Sequence, residues 1–105
     1  EAQQIFDDAI ALEKAGCFSI VLEKIPSSLG KKVSKTLEIP TIGIGAGPYC
    51  DGQVLVTHDM LGMIEAFKPR FVRKYMNLAS DIKDAFRRYI KDIKEEKFPT
   101  KDESY

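Results

Sequence analysis

Ile39-Pro40-Thr41-Ile42-Gly43-Ile44-Gly45-Ala46-Gly47 is a short apolar strand that ends in three alternate glycines and runs into Pro48-Tyr49-Cys50-Asp51-Gly52. The strand tip is stripped of side chains. Bare backbone lets a ligand or a neighbouring loop come close, and the C-terminal ends of barrel strands are where barrel enzymes place their sites. The segment is not a dinucleotide fingerprint. That pattern needs G-x-G-x-x-G running straight into a helix, whose N-terminus holds the pyrophosphate. Here G-x-G-x-G meets proline and a turn. Two readings remain open: tight packing of a barrel strand, or a tip that faces a ligand.

Working outward, Ile5, Ala9 and Leu12 share a helical face with Phe6 and Ile10 beside them, and Gly16 follows where a C-cap glycine belongs. This predicts a helix over 1–15. Phe18-Ser19-Ile20-Val21-Leu22-Glu23-Lys24-Ile25 is a nearly continuous apolar run closed by Pro26, as expected of a parallel strand covered on both faces. Ser27 or Ser28 can cap a second helix through about Leu37, with Leu29, Val33 and Leu37 spaced by fours. Beyond the glycine strand, residues 53–59 read as a third strand ending in His58 and Asp59, and Pro69 can open another helix carrying Phe71, Tyr75 and Leu78. Ser80 caps a last helix with an inner stripe of Ile82, Phe86, Tyr89 and Ile93, and the tail from Thr100 onward is expected to be loosely held.

The predicted order is helix, strand, helix, strand, strand, helix, helix, with β–α crossovers that favour parallel pairing. Three such strands leave both sheet edges open although their sequences read as buried on both faces. The chain also opens at Glu1, directly in a helical pattern and without a methionine. Together these features predict a piece of a larger α/β fold.

Composition removes several function classes. Sixteen basic and sixteen acidic residues cancel, which leaves no global field to recruit nucleic acid or an anionic membrane. No apolar run approaches the roughly 20 residues of a membrane span, so a soluble cytosolic protein is expected. Cys17 and Cys50 lack metal-ligand spacing, and His58 is the single histidine, so both cysteines read as free thiols and a Cys/His zinc site is disfavoured.

Glu23 is the one carboxylate within an apolar strand. It either emerges into solvent beside Lys24 or serves as a general base, because apolar surroundings penalise a charged carboxylate and favour proton abstraction near neutral pH. His58 and Asp59 are adjacent, so on a strand they point to opposite faces and cannot act as a pair. A lone histidine reads as a structural residue. The aromatics from Tyr75 to Tyr89 read as core, and Arg87, Arg88 and the 94–97 charges as solvated helix faces.

Taken together, Val21-Leu22-Glu23-Lys24-Ile25-Pro26, the glycine strand, Asp51-Gly52-Gln53-Val54-Leu55-Val56 and His58-Asp59 closely resemble the ketopantoate hydroxymethyltransferase family. Phe98-Pro99 and Glu103-Ser104-Tyr105 are similar to that family's ending. The resemblance implies a (β/α)8 TIM barrel of the phosphoenolpyruvate/pyruvate-binding type, with residues 1–105 as the C-terminal portion of its single domain, strands six to eight, and the N-terminal strands absent. Such a portion is expected to be inactive alone. The implied reaction moves a hydroxymethyl group from 5,10-methylenetetrahydrofolate to 3-methyl-2-oxobutanoate, giving 2-dehydropantoate on the route to pantothenate. In it a Mg2+ ion chelates the keto acid and a carboxylate removes the adjacent proton. The position matching that base is Glu23. Gly43, Gly45 and Gly47 match a strand tip that walls the substrate and folate. The metal ligands have no counterpart in these residues, and Asp51 and Asp59 are not substitutes. The resemblance further implies a homo-oligomer, often a decamer. Alternatives are another phosphoenolpyruvate-type barrel lyase or mutase, with no folate requirement, and a non-catalytic remnant.

Overall fold

The computed structural model describes residues 1–66 and 68–105. The chain divides into two compact units, one of residues 1–56 and 69–72, the other of residues 57–68 and 73–105.

The first unit carries α1 (Ala2–Lys14), β1 (Ile20–Glu23), α2 (Ser27–Thr36), β2 (Thr41–Ile44) and β3 (Gly52–Gln53). Among the described residues these strands form one sheet in the order β1-β2-β3, parallel at both pairings. Ile20 pairs with Thr41 and Glu23 with Ile44, which brings the C-terminal ends of β1 and β2 level. Gly16 closes α1 at φ 98°, a conformation that penalises any residue with a Cβ. The spacing by fours on α2 does what its period predicts. Leu29, Val33 and Leu37 are buried together with Ile20 and Leu22 of β1 and Ala9 of α1, with Ile5, Phe6 and Ile10 packed against them.

β1 is not covered on both faces. Its residues alternate, Ile20 and Leu22 inside, Val21 and Glu23 exposed, and Val21 is 60% accessible. Side chains of a strand alternate between faces, and the helices of this unit pack on one face alone. The expected strand over 18–25 is correspondingly shorter, because Lys24 turns to φ 50° and leaves the extended region.

β2 is held by a polar clamp at its start. The carboxylate of Asp51 accepts the Thr41 amide (2.8 Å) and the Thr41 hydroxyl (3.0 Å), and the same hydroxyl lies 2.6 Å from that of Ser34 on α2. Thr41 is fully buried, so each of its polar atoms needs a partner, and the turn after the glycine tip supplies it. Glu13 caps a second junction by accepting the amides of Glu38 and Ile39.

The second unit carries α3 (Thr57–Met60), α4 (Leu78–Lys94) and a 3-10 turn over Lys101–Glu103. The third strand is Gly52–Gln53 rather than 53–59, and His58 and Asp59 lie in the single turn of α3, His58 exposed and Asp59 buried. No helix starts at Pro69; residues 69–72 form a turn closed by Val72 N–H donating to the Pro69 carbonyl. Asn77 rather than Ser80 precedes the last helix, because the amides of Leu78 and Ala79 are taken by the carbonyls of Leu61 and Gly62. Tyr75, Phe86, Tyr89 and Ile93 are exposed rather than core, Phe86 at 62%. A helical period defines an apolar stripe without specifying what covers it. The tail is more ordered than expected, since Thr100 and Glu103 form a reciprocal capping box.

The two hydrogen bonds from Thr41 hold the Asp51 carboxyl below the ordinary carboxylate range, the amide contributing most. A depressed carboxyl adds stability that is present above its unfolded value and is lost as pH falls through the folded one. Asp51→Asn is therefore expected to lower the urea midpoint at neutral pH, with the gap to wild type closing in strong acid. A gap independent of pH would show that the charge is not what holds the clamp.

Candidate active site

The C-terminal ends of β1 and β2 form one edge of the first unit, and three features meet there. Glu23 is the last residue of β1 and shares its sheet face with Val21, the face that the helices leave open. The carboxylate is exposed, so the apolar enclosure expected around it is not formed within this segment.

The glycines after β2 play different parts. Gly43 pairs with Leu22, which places it on the helix-covered face; a Cβ there would lie 3.0 Å from Cys50 Sγ and 3.1 Å from the Gln53 amide oxygen. Gly45 (φ 69°) and Gly47 (φ 81°) take left-handed turns that lead the chain away from the strand. A Cβ on Gly47 would lie 2.3 Å from Ser27 Cβ, and one on Gly30 would lie 2.5 Å from the Ala46 carbonyl oxygen. The bare backbone thus lets the 45–47 loop lie directly on the first turn of α2.

Beside this loop is an open cleft of about 530 Å³, lined by Lys24, Ile25, Ser27, Gly45, Gly47, Arg70 and Phe71. Phe71 rests on Gly45, where a Cβ would lie 3.0 Å from its ring. The sequence gives Lys24 only as a neighbour of Glu23 and Phe71 only as a helix-face residue, and nothing in it singles out Arg70. A left-handed lysine has no sequence signature, and the proline before Arg70 served equally well as a helix start or a turn. The structure brings Gly45 and Gly47 to the cleft and sets Glu23 at the end of the adjoining strand. Among the described residues, no group of three or more His, Cys, Asp or Glu side chains is placed to hold a metal ion. Also among the described residues, no helix is long and apolar enough to cross a membrane.

Residues 1–101 match the family described as ketopantoate hydroxymethyltransferase. This chain belongs to that family. It is 58% identical over all 105 residues to the 3-methyl-2-oxobutanoate hydroxymethyltransferase of Caldicellulosiruptor bescii, covering 40% of that protein. With the proteins of the same name from Chlorobaculum tepidum and Porphyromonas gingivalis the identities are 58% and 56%, each over 38% of the relative. The chain thus spans about two-fifths of the length of these curated relatives.

The tight loop yields a stability test with an internal control. Gly47→Ala meets both a left-handed backbone, which costs about 1–2 kcal/mol for a residue with a Cβ, and the overlap with Ser27. Gly16→Ala also meets a positive φ, but with nothing within 4 Å of the new methyl. The Gly47 variant is expected to lose clearly more stability in urea melts; equal losses would remove the contact from the account.

Proposed function

We propose that the protein containing this segment transfers a hydroxymethyl group from 5,10-methylenetetrahydrofolate to 3-methyl-2-oxobutanoate, giving 2-dehydropantoate for pantothenate synthesis, with Glu23 as the general base. The observation that carries the assignment is the position of Glu23, a carboxylate at the C-terminal end of a parallel strand, on the sheet face left open by the helices. In a (β/α)8 barrel that end of the strands bears the active site. β1, β2 and β3 are taken as barrel strands six, seven and eight, and residues 1–105 as the C-terminal portion of the barrel domain.

The Glu23 carboxylate takes the proton from the carbon next to the ketone, leaving an enolate whose charge spreads onto the carbonyl oxygen. The enolate carbon forms a bond to the one-carbon unit of the folate, the carbon–nitrogen bonds to that unit break, water supplies the hydroxyl oxygen, and tetrahydrofolate leaves. A base for so weak an acid works best in water-poor surroundings. Those surroundings, and the ligands of a Mg2+ ion, are assigned to the part of the barrel that this chain does not span. The name of these relatives, 3-methyl-2-oxobutanoate hydroxymethyltransferase, supports the reading. A soluble homo-oligomer in the cytoplasm is proposed with it.

The base assignment is tested in the full-length enzyme by solvent deuterium exchange at C3 of the keto acid. Glu23→Gln keeps the side chain's size and is expected to slow exchange by about 10²-fold or more while keto-acid binding persists. Exchange at the wild-type rate in that variant would remove Glu23 from the mechanism.

A further inference from the structure

The cleft beside the 45–47 loop has a charge pattern that the proposed base does not explain. Among the described residues Lys24 and Arg70 line it, no carboxylate does, and neither cation has a salt-bridge partner. In a chain whose charges cancel overall, this is a local accumulation of one sign. The backbone is shaped around it. Lys24 adopts φ 50°, a conformation that costs a residue with a Cβ about 1–2 kcal/mol. Its amide donates to the Ile44 carbonyl at 2.9 Å, which anchors the turn to β2. Strain of this kind persists only where surrounding structure enforces it, and it concentrates at ligand sites. Arg70 and Phe71 arrive on the 69–72 turn, and Phe71 is fixed against the bare backbone of Gly45. Ser27, the first residue of the ten-residue α2, adds the positive end of a helix dipole.

We propose that this cleft is a carboxylate subsite, in which Lys24 and Arg70 receive the glutamate carboxylates of the folate donor while Phe71 and Gly45 carry its apolar portion. The identity of the donor rests on the function proposed above; the anion chemistry rests on the cleft. Two substrates of that reaction carry carboxylates, and size separates them. A volume of about 530 Å³ lies within the ~300–1,000 Å³ typical of sites for drug-sized ligands. A small branched keto acid would fill a fraction of it. A guanidinium offers paired donors to a carboxylate and an ammonium a point charge, so the two cations suit a chain of carboxylates reaching the cleft from outside.

The test is steady-state kinetics of the full-length enzyme carrying Lys24→Met and Arg70→Met together, with mono- and polyglutamylated methylenetetrahydrofolate as donors. The expected result is a donor KM raised by about 10-fold or more, larger for the polyglutamylated form, with the keto-acid KM moved less than about 2-fold. Lys24→Arg with Arg70→Lys, which keeps both charges, is expected to restore most of the donor affinity; a double methionine variant that merely misfolds would show a lowered thermal midpoint and a loss in both KM values. A rise in the keto-acid KM alone assigns the carboxylate to the other substrate and overturns the proposal, as does a donor KM that does not move. Wild-type enzyme that fails to turn over this substrate pair overturns the function itself, so the two failures are told apart.

Discussion

Gly30 and Gly47 face backbone and side-chain atoms at distances no Cβ could tolerate, 2.5 Å to the Ala46 carbonyl and 2.3 Å to Ser27 Cβ. This close approach of the 45–47 loop to the first turn of α2 is the constraint from which the site end of the first unit follows. It buries Ala46 completely and holds the end of β2 at the start of the helix that leaves β1. It also leads the chain through two left-handed glycines, so that the next residues turn back and Asp51 reaches Thr41. Gly30 and Gly47 let the two backbones approach, whereas Gly43 and Gly45 lie against the side chains of Cys50 and Phe71.

The sheet has two unlike faces because of the same arrangement. One face is closed by α1 and α2 over Ile20, Leu22, Leu29, Val33 and Leu37, a buried cluster whose removal from water drives the packing. The other carries Val21 and Glu23, which the helices do not reach. The chemistry proposed for Glu23 belongs to this open face. The cationic cleft belongs to the loops beside it.

Legibility followed the range of the forces involved. α1 and α2 were readable because period, capping glycine and flanking proline all act within a few residues. The strand over 53–59 and the helix from Pro69 were misread because their signals were short. Val54-Leu55-Val56 has strand composition, yet pairing ends at Gln53, and His58 and Asp59 enter a one-turn helix whose following glycine donates to the Asp59 carbonyl. The stripe of Phe86, Tyr89 and Ile93 was correctly placed on one face of α4 and wrongly taken as buried. Periodicity is local, whereas burial depends on what packs against the helix.

By itself the sequence determined the family, the helices around the first two strands and their parallel order. These are encoded in contiguous residues, where side-chain period, glycine and proline act directly on the backbone. Tertiary structure alone decided that Gly43 faces the helix side while Gly45 and Gly47 border a cleft, that Asp51 clamps Thr41, and that Lys24 and Arg70 line one pocket. Those relations join residues from about ten to more than forty positions apart. No local pattern carries them, because they exist only once the strand tips are brought level and the loops close over them.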